Sequence, residues 1–490
     1  MLSELAAKSL EALKWNYLGA AGRVLLQLAA QIVLARLLGP EPYGTFATVV
    51  LVMGIGNLMA EAGLSSSLIR EKVVSDNTVR FTFTWLLIAG SAAAVLACAL
   101  AGWFAGFFGD QRLARIVLAM APSFLLQAMG LVSLALLRRT LQYRYIQLTQ
   151  LLAYSVGFAL VGIPCAMAGL EVWSLVIAWN VQCALGSILL YAKTRHPIRP
   201  LLVLNDYGLV KYGMTILGTN IANWTAENLD NVGVATLFGA RSIGLYSMSY
   251  NLVRTPTNHL VASLQQVLFP ASAQASREGH DVGRAYLGLL SVVALVSLPG
   301  FVSIAMLSEA TILTLYGRGW LDAASLLTPL ALAMPFHAMM AIGGPVLWGL
   351  GRAGLELKVQ SWIACLFLLV LLVAARYSAA AIAWGVLGVY VLRALWLTLL
   401  VAGSAGIRSG QLFSAVRGGF LLAVVNATVM IVLSDFLDSY RFAAPLSLSL
   451  CTTVILALDC ALVMVLSKFV LTEDLQFLLD RVLGKFMVRK

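Results

Sequence analysis

Seven ionisable side chains lie inside stretches that are otherwise apolar: Arg23, Glu61, Glu227, Asp230, Arg254, Arg393 and Asp459. Such groups are costly in lipid, so they face a partner, a water-filled cavity or a transport path. Arg23, Gln27 and Gln31 recur every four residues and form one helical stripe. Asn57 and Glu61 repeat that spacing in the next apolar segment. Asn220, Asn223, Glu227, Asp230 and Asn231 share a face further on, followed by Tyr246, Tyr250, Arg254 and Asn258 at four-residue intervals. The guanidinium groups of Arg23 and Arg254 suit a phosphate or diphosphate, which they bind through two parallel hydrogen bonds. The carboxylates of Glu61, Glu227 and Asp230 suit a coupling ion, H⁺ or Na⁺. The amides of Gln27, Gln31, Asn57 and Asn223 and the phenol of Tyr250 suit sugar hydroxyls. The competing reading of the same residues is arginine–carboxylate pairing between helices. Arg393 and Asp459 read more readily as such a pair, and His259 and His337 as core histidines.

Soluble catalytic patterns are absent. The chain carries no GxxxxGK[ST], HExxH or GxSxG, and its four histidines are scattered at 196, 259, 280 and 337. No metal cluster or cofactor is expected, and no enzyme activity. The six cysteines lie in apolar runs without a CxxC pair and read as small buried side chains.

The elements that must hold these stripes follow from composition. Of 490 residues, 60% are hydrophobic and 11% charged, with a mean hydropathy of +0.89. An ordinary soluble domain is roughly 25% charged, so too few charges exist to coat several water-facing domains. The expected fold class is an all-α polytopic membrane protein of about 14 transmembrane helices, each of about 20 apolar residues. The spans fall near 16–36, 45–69, 81–106, 113–137, 147–168, 172–192, 211–238, 243–271, 285–307, 323–350, 357–375, 380–402, 412–434 and 443–467. With the N-terminus inside, 23 of the 33 basic residues fall in inner loops and seven in outer ones. That asymmetry favours cytoplasmic termini, and it turns the net charge of +11 into loop charge against anionic lipid, with no nucleic acid implied. No loop has room for an extramembrane catalytic domain. Residues 1–15 and 468–490 read as amphipathic helices on the inner surface.

Two segments 200 positions apart match: Leu37-Leu38-Gly39-Pro40-Glu41-Pro42-Tyr43-Gly44-Thr45-Phe46 and Leu237-Phe238-Gly239-Ala240-Arg241-Ser242-Ile243-Gly244-Leu245-Tyr246. Fainter echoes pair Phe108-Gly109-Asp110 with Tyr316-Gly317-Arg318, and Pro122 and Arg138 with Pro335 and Arg352. The repeat implies two parallel six-helix lobes, an arrangement known in transporters, at 16–192 and 211–403. They are joined by a cytoplasmic linker at 193–210 and followed by two extra spans at 404–467. Spans 1, 2, 7 and 8, which carry the polar stripes, are equivalent pairs under it.

The ARLLGPEPYGTF element with an acid late in span 2, the FGARSIGLYSMSYNL segment and the LYGRGWLDAASLL segment resemble the Wzx-type flippases. These form the polysaccharide transporter group of the multidrug/oligosaccharidyl-lipid/polysaccharide exporter superfamily, and the likeness is closest to exporters of capsule, exopolysaccharide or colanic-acid-like repeat units. The resemblance implies transport of an undecaprenyl-diphosphate-linked oligosaccharide across the inner membrane, driven by a proton or sodium gradient. It also implies a cationic cavity holding Arg23 and Arg254, with membrane lipids and a polysaccharide polymerase complex as candidate partners. A drug/cation antiporter of the same superfamily, a lipid II flippase and a membrane polymerase or ligase are the alternatives. Two cavity arginines repel a drug cation, the LGPxxYG element argues against lipid II, and the outer loops are too short for a polymerase.

Overall fold

The structure, a computed structural model, describes residues 2–61, 65, 68, 74–202, 207–277, 282–374, 376–439 and 444–465. Among them the only regular elements are helices, as the composition requires. Eleven helices among the described residues are long and apolar enough to cross a membrane. The three other expected spans, 45–69, 211–238 and 243–271, fall on helices that adjoin or include residues outside the described set. The chain is thus a multi-pass membrane protein. Span 1 and the segment before it form one unbroken helix, α1 (Leu2–Leu38). The tail at 468–490 lies outside the described residues.

Contacts divide the chain into two compact units, Met1–Gly244 and Leu245–Lys490. The division falls after Gly244, inside the second of the two matching segments. The first unit holds α1, α2 (Pro40–Glu61), α3 (Asp76–Phe107), α4 (Arg112–Met120), α5 (Pro122–Arg139), α6 (Tyr143–Tyr154), a π-helical stretch Ser155–Gly162, α7 (Ile163–Met167), α8 (Val172–Thr194) and the start of α9 (Tyr207–Arg277). Small residues let these helices approach closely, as membrane helices must without a hydrophobic drive between them. Gly130 of α5 stands against Ser187 of α8. Further along the same crossing, Ser133 and Thr194 share a 2.8 Å hydrogen bond.

The second unit holds the rest of α9 and α10 (Val282–Met306), α11 (Ser308–Leu315), a 3₁₀ turn Arg318–Ala323, α12 (Ala324–Gly349), α13 (Ala353–Ala374), α14 (Ala379–Ala405), α15 (Ser409–Ser439) and α16 (Ala444–Val465). Its core packs Tyr286, Leu290 and Val293 of α10 against Ile342 and Val346 of α12 and Leu397 and Val401 of α14.

The repeat is visible in the backbone. Gly39 and Gly239 both have φ of +75°, and the fainter pair Gly109 and Gly317 have +70° and +89°. These are left-handed values that glycine alone adopts without a steric penalty. Each repeat-related turn therefore ends one span and aims the next by the same device.

The linker is docked where the sequence leaves it undefined. Arg80 Nε donates to the Arg199 carbonyl at 3.0 Å, Trp85 Nε1 to that of Leu202 at 3.1 Å, and the Leu201 amide to Thr84 Oγ1 at 2.9 Å. His196 sits edge-on between Phe83 and Tyr191, with ring centroids at 5.0 and 5.2 Å.

Candidate functional site

In the first unit the stripe of α1 is half-buried along Arg23, Gln27 and Gln31. Arg23 donates from Nη1 to Gln150 Oε1 on α6, so this guanidinium is held by an amide rather than by a carboxylate in that bond. Nothing in the sequence spacing links residue 23 to residue 150. Asn57 is half-buried on α2. The side chains of Glu61 and Asn223 lie outside the described residues.

The stripe of α9 changes character along its length. Glu227 is exposed, whereas one turn on Asp230 is only 3% exposed. The Asp230 carboxylate accepts from the Asn231 backbone amide at 2.8 Å and from the Asn231 side chain at 3.0 Å. Burial of an ionisable carboxylate on these terms is costly and marks a position where charge is used or tightly balanced.

The second unit gathers a cluster that spans three helices. Tyr250, 2% exposed, shares a 2.8 Å hydrogen bond between its hydroxyl and that of Tyr390 on α14. The Arg254 guanidinium lies over the Tyr250 ring at 5.1 Å, an attraction of about 0.5–2 kcal/mol depending on desolvation. His337 on α12 stacks on Tyr390 with centroids at 5.4 Å, and its Nε2 donates to Asn258 Oδ1 at 3.3 Å. Arg393 lies one turn from Tyr390 on α14.

His337 joins α9 to α14 through polar and aromatic contacts, in keeping with a histidine held within the packing, and the side chain of His259 lies outside the described residues. One expectation changes here. Arg393 and Asp459 serve different groups. The Asp459 carboxylate accepts from Asn426 at 3.2 Å, and the fully buried Asn426 also reaches Ser303 Oγ at 3.4 Å. Arg393 lies on α14, one turn from Tyr390. Positions 254, 337 and 390 lie on three different helices, so only the tertiary packing brings them together.

A family model described as "Polysaccharide biosynthesis protein" matches residues 33–325. The teichuronic acid biosynthesis protein TuaB of Bacillus subtilis is 24% identical over 410 residues, 83% of this chain and 83% of that one. The lipopolysaccharide biosynthesis protein WzxC of Escherichia coli is 22% identical over 387 residues, 77% of each chain. Among solved structures, the lipid II flippase MurJ in an inward closed conformation matches with a TM-score of 0.72 at 13% identity, over 94% of this chain and 100% of that one. That likeness is one of fold. The family match spans both glycine turns and the polar stripes of α2 and α9, and on it the chain belongs to the polysaccharide biosynthesis protein family.

Proposed function

We propose that this chain is a flippase that moves an undecaprenyl-diphosphate-linked oligosaccharide repeat unit from the inner to the outer leaflet of the cytoplasmic membrane. The product feeds exopolysaccharide, capsule or O-antigen synthesis. The observation that carries this reading is Arg254: a mid-span guanidinium held over Tyr250, in a family of polysaccharide biosynthesis proteins. A guanidinium binds phosphate oxygens through paired hydrogen bonds, and a lipid diphosphate offers them.

Arg23 and Arg254 bind the diphosphate, while Gln27, Gln31, Asn57, Asn223 and Tyr250 contact the sugars. Glu61, Glu227 and Asp230 carry H⁺ or Na⁺ and couple its gradient to alternating access of the two repeats. Both termini lie in the cytoplasm, as the basic loops favour.

The test is loss of the gene product in cells that make the polymer. The lipid-linked repeat unit then accumulates on the inner leaflet, and restoring the chain clears it. Accumulation confined to the outer leaflet places the defect after flipping and rejects the reading. A lipid II flippase is the second reading, favoured by the match to MurJ along that chain's whole length. Under it, depletion halts cell-wall growth and leaves the polymer's lipid-linked unit unchanged.

A further inference from the structure

We propose that Ser303, Asn426 and Asp459 form a proton-binding site in which Asp459 is a neutral acid, closing a hydrogen-bonded ring with the Asn426 amide and fastening the last two spans to α10. The proposal goes beyond the transport reading and stands without it. The site lies apart from the polar stripes, and two of its three helices, α15 and α16, fall outside the repeat.

Ser303 stands on α10, Asn426 on α15 and Asp459 on α16. The pairs Asn426–Asp459 and Met430–Ile455 are spaced one turn apart along each helix in opposite directions, as antiparallel neighbours require. Leu307, one turn past Ser303, packs against the same apolar cluster, which also holds Cys451. The polar triad is thus one layer of a three-helix seam, stacked on an apolar layer. On α16 only Cys451 and Ile455 are buried, and apolar contact gives little drive to helix association in lipid, so the polar layer carries much of the hold.

That layer lacks one hydrogen-bond donor. Asn426 is fully buried, and its Nδ2 donates to Asp459 Oδ2 at 3.2 Å and to Ser303 Oγ at 3.4 Å. Ser303 donates its own hydroxyl proton to the Pro299 carbonyl at 2.7 Å. Asn426 Oδ1 and Asp459 Oδ1 are then both buried without a hydrogen-bond partner. Both only accept while the acid is ionised. One proton taken up from water by Asp459 Oδ1 makes that oxygen a donor to Asn426 Oδ1, and acid and amide complete a cyclic pair. Reversing the amide leaves the count unchanged: its oxygen then faces Asp459 Oδ2, and two acceptors again need one proton between them.

The surrounding charges do not compensate an ionised Asp459, which makes no ion pair among the described residues. Packed against α16, α11 brings the exposed Glu309. On α15, Arg417 lies more than two turns from Asn426 and the side chains of Asp435 and Asp438 lie outside the described residues. On α10, Arg284 lies more than four turns from Ser303. α16 itself adds Cys451 and Cys460. A buried charge left in this way is costly. A hard metal cation takes about six oxygens or more, whereas the two open oxygens here need a single hydrogen.

The test is infrared spectroscopy of the full chain in phosphatidylcholine nanodiscs, with choline chloride as the salt. The wild-type minus Asp459→Asn spectrum at pH 7 is expected to show the carbonyl band of a protonated carboxylic acid, shifted in D₂O. Carboxylate bands in its place overturn the proposal. Asn426→Leu removes the amide partner and is expected to move the acid band to higher frequency; a band that stays in place overturns the ring. That variant carries the test alone should Asp459→Asn fail to insert. Conversion of the acid band into carboxylate bands when sodium replaces choline at constant pH assigns the site to a metal cation and overturns the proton; an unchanged band supports it. Maleimide labelling of Cys451, with the other five cysteines replaced by alanine, reads the hold on α16. Asp459→Asn rebuilds the ring with a neutral group and is expected to label within about twofold of wild type, and Asp459→Ala about fivefold faster or more. An asparagine variant as fast as the alanine one overturns the neutral acid, and an alanine variant no faster than wild type overturns the fastening.

Discussion

Gly44 and Gly244, equivalent positions 200 residues apart in the repeat, meet backbone to backbone. A β-carbon on Gly44 would stand 1.7 Å from the Ala240 carbonyl oxygen and 2.7 Å from the Gly244 nitrogen, and one on Gly244 would stand 2.1 Å from the Pro40 carbonyl oxygen. The two matching sequence segments are thus one contact, with each turn filling the space a side chain would need in the other. Next to it Arg112 reaches Glu41 at 2.8 Å and Asp110 at 3.0 Å, which ties the first turn to the start of α4. The glycines are required by close approach, since the neighbouring atoms are backbone and cannot swing away.

The contact predicts a conformational effect of a single methyl group. Gly244→Ala or Gly44→Ala forces the turns apart at a cost on the order of 1–3 kcal/mol, enough to move an equilibrium by about fivefold to a hundredfold or more. Polymer export is expected to fall while membrane insertion persists. A cysteine at Asn231, buried on the same helix in the wild-type chain, is expected to react faster with an impermeant maleimide added outside. Export and labelling both at wild-type levels would show that the close approach is dispensable.

Arg254→Ala removes a guanidinium that Tyr250 holds in place. Export is expected to drop by about tenfold or more, since charge-assisted hydrogen bonds of this kind contribute about 1.5–3 kcal/mol each, and the protein still inserts. Arg254→Lys is expected to recover only part of the loss, because an ammonium lacks the planar fork. Polymer yield per inserted protein, measured in a strain lacking the native copy, separates these outcomes. Full export by the alanine variant rules out a role in holding the substrate.

Much of the fold was legible because lipid imposes one solution on an apolar chain, the fully hydrogen-bonded helix. Hydropathy placed the eleven spans found among the described residues, and the matching segments fall on turns with the same positive glycine φ. The site was legible only along single helices. Spacing put Tyr250 and Arg254 on one face, but it carried no information about Tyr390, which bonds Tyr250 from 140 residues away, or about Gln150, which holds Arg23. A helical period reports which residues share a face and is silent on which helix that face meets. The reading of Arg393 and Asp459 as a pair failed for this reason: both sat in late spans, and the packing of α14 and α16 sent them to different neighbours.

Asp230 is buried and accepts two hydrogen bonds from Asn231. In the coupling role, Asp230→Asn keeps the shape and removes the exchangeable proton or ion ligand. Uptake of a lipid-linked substrate into proteoliposomes is therefore expected to lose most of its dependence on the imposed gradient, while substrate affinity changes less than about threefold. Gradient dependence that survives intact assigns coupling to another carboxylate.

The docked linker carries a pH dependence whose sign is fixed by His196. Burial against Phe83 and Tyr191 pushes its pKa below the ordinary histidine value, and a contact with the Pro197 carbonyl opposes that shift. An undocked linker titrates near the ordinary value of about 6.5. Above that pH both forms are neutral and acidity has no effect. As pH falls below it, the undocked form takes up a proton that the docked form resists, so docking weakens until the lowered pKa is reached. The Leu201 amide, bonded to Thr84, reports the docked state. Its hydrogen-exchange protection factor, which divides out the intrinsic pH dependence of exchange, is expected to fall between pH 7.5 and pH 5. His196→Gln is expected to flatten that slope, whereas Arg80→Ala, which removes the bond to Arg199, lowers protection at every pH and leaves the slope in place. A protection factor that rises on acidification would reverse the assignment, because it would mean the docked pocket stabilises the imidazolium.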